Sequence, residues 1–109
     1  MGIGTAHGFT PTTPKIHFDR LQAIANAVPN PLVLHGGTGI ADEDIQKAIT
    51  MGIAKINIGT IVHTTYMREA HTRINKDVQS AYPPFIMKEV IPEVQAVVLD
   101  RLKAVNPHL

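Results

Sequence analysis

The chain has 109 residues, the length of one domain. Its 10 lysines and arginines against 9 aspartates and glutamates leave a net charge of +1, too little to create the field that attracts nucleic acid or anionic lipid. No run approaches the roughly 18 apolar residues of a membrane span, there is no cysteine for disulfides or thiolate chemistry, and the amino terminus lacks a secretion signal, so a cytoplasmic protein without nucleic-acid or membrane partners is expected.

The elements follow from hydrophobic period. Met1 to His7 is a short apolar run of small residues and predicts a first strand. Asp19 to Val28 carries Leu21, Ile24, Ala25 and Val28 at helical spacing, with Asp19 where an N-cap or acidic first turn belongs and Pro29 where the helix should stop. Pro31 to His35 predicts the second strand. Asp42 to Met51 predicts a second helix, with Ile45, Ala48 and Ile49 on one stripe and Gly52 as its stop. Ala54 to Ile58 predicts a third strand. Ile61 to Val78 and Ile86 to Leu102 then read as helices, separated by the break from Ala81 to Pro84, with Pro92 expected to kink or restart the last one. Strands joined by crossover helices must pair in parallel, so the order β-α-β-α-β-α predicts an α/β fold over residues 1–80 and a helical segment over 81–109, in a single domain.

In such folds ligands bind at the carboxyl ends of the strands. The first strand ends in Gly4-Thr5-Ala6-His7-Gly8, the second in His35-Gly36-Gly37-Thr38-Gly39, and the third in Asn57-Ile58-Gly59-Thr60. His7 and His35 are one strand-helix repeat apart, which sets two imidazoles at the same level of neighbouring strand ends. Neutral imidazole suits zinc, and a catalytic zinc takes three protein ligands with a fourth position left for water or substrate. A strand-end histidine is also an ordinary hydrogen-bonding cap, and both readings stay open. Gly36, Gly37 and Thr38 lead into one helix and Gly59 and Thr60 into the next, so backbone N–H groups at two helix starts could hold a phosphate. The acidic first turn Asp42-Glu43-Asp44 works against this at the first of them. His17, His63, His71 and His108 read as loop, helix-surface or terminal residues, and Met51, Met67 and Met87 as core filler.

These three strand tips, in this order and spacing, resemble the class II, zinc-dependent fructose-bisphosphate and tagatose-bisphosphate aldolases. The similarity extends to Phe18-Asp19-Arg20-Leu21 and Asp42-Glu43-Asp44-Ile45 in the linking helices and covers residues 1–78 well, the rest loosely. It implies that the chain is the C-terminal part of a (β/α)8 TIM barrel, a fold of about 250 residues. It further implies that His7 and His35 are two of three zinc ligands, and that Gly8, Gly36, Gly37, Thr38, Asn57, Gly59 and Thr60 line the site for a ketose bisphosphate or its product, dihydroxyacetone phosphate. The family's Asp-His pair, which supplies the acid/base carboxylate and the third ligand, has no counterpart in this sequence. An open set of strands should find cover, either from a second copy in a homo-oligomer or from the missing N-terminal half. The alternative to an aldolase portion is a non-catalytic, oligomerising half-barrel that retains sugar-phosphate binding.

Overall fold

The computed structural model of the chain describes residues 2–5 and 13–109, with Ser80 by its backbone alone. In chain order it forms α1 (Phe18–Ala27), β1 (Leu32–Leu34), α2 (Asp42–Thr50), β2 (Ile53–Ile56), α3 (Thr60–Lys76), a single 3-10 turn (Val78–Ser80) and α4 (Pro83–Val105). The two strands pair in parallel, with Leu32 opposite Ile53, Val33 opposite Lys55 and Leu34 opposite Ile56, and a bulge between Leu32 and Val33. This is the α/β arrangement expected, with strands and helices within a few residues of their predicted limits.

Of the first predicted strand, Met1 to His7, only residues 2–5 are described, and these are a correction. Among the described residues the sheet has two strands, and residues 2–5 are not part of it. Gly4 adopts φ +98°, a left-handed backbone that breaks the extended chain, and a Cβ there would lie 2.4 Å from the Lys15 carbonyl oxygen. The Ile3 carbonyl accepts from the His17 N–H at 2.8 Å, so it serves the approach to α1 rather than a ladder. Ile3 is nonetheless fully buried, as its apolar character demanded. It joins Ile16, Leu21, Leu32, Leu34, Ile40, Ile45, Ala48, Ile53 and Ala104 in one core between the sheet and the helices around it. Apolar residues of β1 and β2, and the buried stripe Ile45 and Ala48 of α2, drive this packing.

The two long helices form an antiparallel hairpin, α4 lying along α3 and also reaching α2. Pro92 does not restart α4, which is one helix through it. Proline removes one hydrogen bond, to the carbonyl four residues earlier, and both Pro92 and Lys88 lie on the exposed side, where that carbonyl is not stranded in the core. The radius of gyration is 17.3 Å, against about 13 Å for a compact domain of this length, so the molecule is elongated. Several large apolar residues remain outside the core, among them Val78 and Phe85 at 68% exposure and Met67 at 63%. Met67 is therefore not core filler, whereas Met51 packs against the core.

Glu69 ties the hairpin's charges together. It pairs with Arg73 one turn on and with Arg68, while Arg73 also reaches Glu89 of α4 at 3.3 Å. The hydrogen bond from Arg73, then that from Arg68, holds the Glu69 carboxyl below its ordinary value of 4.5. A lowered carboxylate stabilises the fold fully above that ordinary value and loses its contribution as the pH falls through the folded-state value. Glu69→Gln is thus expected to lower the urea midpoint at pH 7, and the gap between variant and parent should close on acidification below pH 4.5. A gap that does not narrow as the pH falls below 4.5 would mean that shape, not charge, is what Glu69 supplies.

Candidate functional site

The carboxyl ends of β1 and β2 open on a cavity of about 440 Å³. His35, Gly36, Gly37 and Thr38 line it from the β1 side, and Ile56, Asn57, Ile58, Gly59, Thr60 and His63 from the β2 side. The sequence-predicted residues His35, Gly36, Gly37, Thr38, Asn57, Gly59 and Thr60 are therefore brought together around one space. His7 and Gly8, the other two, lie outside the described residues.

Hydrogen bonds fix the walls. The Asn57 N–H donates to the Leu34 carbonyl at 2.9 Å, and the Gly37 N–H donates to the Asn57 carbonyl at 3.2 Å, which carries the parallel pairing one step beyond the strands and clamps Asn57 between them. Gly37 must be glycine here, because a Cβ would lie 2.8 Å from Ile58 Cγ1 and 3.0 Å from Ile56 Cγ2. Thr38 is buried, 4% exposed, and its Oγ1 accepts from the Ile61 N–H of the first turn of α3 at 3.4 Å. The β1 loop thereby helps cap a helix whose own N-cap, Gly59, has no side chain to do so. Thr5 donates through Oγ1 to the His35 carbonyl at 2.8 Å, which brings the described start of the predicted first tip to the same rim.

The Asn57 amide nitrogen lies 3.2 Å from His35 Nδ1. With the amide donating, Nδ1 is the acceptor and Nε2 carries the proton, so a metal ion on His35 would either displace the Asn57 amide from Nδ1 or bind Nε2 and turn Nδ1 into a donor. His35 is exposed at the cavity rim. As a zinc donor it fits, but as one contributor: among the described residues there is no group of three or more His, Cys, Asp or Glu able to hold a metal.

Charge at the two helix starts differs. The first turn of α2 holds Asp42, Glu43 and Asp44, whereas that of α3 holds no acid. An anion is accordingly favoured at the start of α3, where the positive end of the helix dipole is uncompensated. Three of the four arginines are engaged elsewhere. Arg68 and Arg73 pair with Glu69, and Arg101 pairs with Asp42 at 3.0 Å and Asp100 at 2.7 Å. Burial works to discharge Arg101, but Asp100 and Asp42 outweigh it and raise its pKa.

His63 was read from the sequence as a helix-surface residue, yet it lines the cavity. Helical side chains lean toward the N-terminus, so the fourth residue of α3 covers the turn before it. The signal was its distance of three residues from Thr60, at a strand tip that opens a helix.

The family model described as fructose-bisphosphate aldolase class-II matches residues 1–108. A curated sulfofructosephosphate aldolase of Alkalicoccus urumqiensis is 44% identical over 66 residues, which are 61% of this chain and 23% of that protein. The crystal structure of YdjI aldolase from Escherichia coli K12 matches 95% of this chain and 38% of its own, with a TM-score of 0.78 and 36% identity. The chain spans less than half the length of either relative. With nearly every residue matched, it belongs to the class II fructose-bisphosphate aldolase family, a family of lyases.

Proposed function

We propose that this chain is a portion of the (β/α)8 barrel of a zinc-dependent ketose-bisphosphate aldolase, and that its cavity receives the phosphate and triose part of the substrate. The cavity at the ends of two parallel strands, in a chain of this family, is the observation that carries the proposal. The N–H groups of Gly59 and Thr60 hold the phosphate at the start of α3, the Ile61 N–H being given to Thr38 and those of Val62 and His63 to the Gly59 carbonyl; Gly36 and Gly37 let the opposite backbone approach it, and Thr38 fixes the distance between the two loops. Asn57, clamped by its backbone, would offer its amide to the triose oxygens, its contact with His35 giving way when that imidazole ligates a metal. His35 would be one ligand of a zinc ion, with His7 a second, and the third would come from outside this chain. When bound, zinc supplies a Lewis acid that polarises the substrate ketone, which is the group that must accept electrons as the carbon-carbon bond of a retro-aldol cleavage breaks to give dihydroxyacetone phosphate.

Titrating the ¹⁵N-labelled chain with inorganic phosphate tests the placement. Amide resonances of Gly36 to Thr38 and Gly59 to Ile61 are expected to move together on one binding curve. Movement at Arg68, Arg73 or Arg101 with the cavity resonances still would overturn the assignment.

A further inference from the structure

The geometry points to His63 as a further substrate-binding residue of the cavity, one that donates a hydrogen bond to the anionic group held beside Gly59. The argument rests on the sugar-phosphate reading of the cavity and adds a residue to it. Two observations place the imidazole. His63 lines the cavity although it belongs to α3. Its Nε2 and Cδ2 lie 3.8 and 3.9 Å from where a Cβ on Gly59 would be, so the polar edge of the ring overhangs that residue. With glycine at position 59, nothing projects between that edge and the space above the backbone.

The chemistry of the lining makes this edge significant. No residue lining the cavity carries a carboxylate, and His35 and His63 are its ionisable side chains. The lining hydroxyls and amide belong to Thr38, Thr60 and Asn57; Thr38 accepts the Ile61 N–H and keeps its O–H as a donor, and one N–H of Asn57 faces His35, so the His63 edge adds a donor to these rather than replacing them. His35 stands at the β1 side of the cavity, and His63 at the β2 side beside Gly59 and Thr60. An oxyanion seated there meets an imidazole N–H within the reach of a hydrogen bond, and imidazole can always present one such donor. His63 would thus bear on the affinity for the phosphate rather than on the carbon-carbon bond.

The test compares the parent chain with His63→Leu and His63→Gln by NMR titration with inorganic phosphate, following the cavity amides and the His63 ring. His63 is exposed, so neither variant should shift the urea midpoint. His63→Leu is expected to weaken binding about tenfold, the lower end of the effect of removing one hydrogen bond to a charged group, as befits an exposed side chain, while His63→Gln, which keeps an N–H donor, recovers part of the loss. In the parent, the His63 ring resonances should move on the same curve as the amides. Equal affinity for His63→Leu, or a still His63 ring while the amides move, would overturn the role of His63 and leave the phosphate site standing. Cavity amides that do not respond in the parent would overturn both.

Discussion

Leu34→Ala is expected to destabilise the fold by about 2–5 kcal/mol, seen as a lower urea midpoint with an unchanged slope. Leu34 is 1% exposed and ends β1 opposite Ile56. It sits in the core with Leu21, Ile45 and Ile53, so its removal leaves a void that the short sheet is poorly able to close. Its carbonyl also accepts the Asn57 N–H, the bond that extends the pairing into the cavity wall. Val33, half-buried on the other face, provides the control, and Val33→Ala should have a clearly smaller effect. A domain's total stability is about 5–15 kcal/mol, so the Leu34 variant is expected to lie near the threshold of folding. A loss below about 1 kcal/mol would show that the core is centred elsewhere.

What the sequence revealed and what it hid divide along physical lines. Periodicity located every helix, because a buried stripe such as Ile45 and Ala48 is a property of the local sequence. The β1 and β2 runs were legible for the same reason. The Met1 to His7 run failed as a strand within residues 2–5, where burial and strand pairing part company: Ile3 is buried, but the bond from His17 and the turn at Gly4 are tertiary choices that hydrophobicity does not encode. Of the two outcomes expected at Pro92, a restart does not occur, since a proline on an exposed helix face removes one hydrogen bond without ending the helix. The cavity residues at the strand tips could be named in advance because parallel α/β folds put ligands there. His63 could not be named by that rule, which stops at the tip. Finding it needed the direction in which a helical side chain leans.

The 109-residue chain alone, supplied with zinc, is expected to cleave ketose bisphosphates at no measurable rate, and addition of the remaining part of a related aldolase barrel is expected to restore turnover that a chelator abolishes. Retro-aldol chemistry needs an acid/base group, and the ionisable residues lining the cavity are His35, given to the metal, and His63, given to the phosphate. His35 is one imidazole ligand where a catalytic zinc uses three. Loss of one member of a concerted set commonly lowers the rate by orders of magnitude. The surface that a complementing segment would have to cover is present. Ile56, Ile58, Val62, Val98, Leu102 and Val105 line an apolar hollow of about 280 Å³ where the β2 end meets α3 and α4. Apolar area left wet forfeits about 25 cal/mol per Å², so covering this hollow favours association, with the rest of a barrel or with a second copy. Sedimentation of the chain with and without the added segment separates the two, since the segment should replace self-association by a one-to-one complex whose formation tracks the recovered activity. Zinc-dependent turnover by the pure chain would refute the incompleteness of the site and would require a base within it. Asp19, in the first turn of α1, and Asp42, already paired with Arg101, would be the first to replace by asparagine.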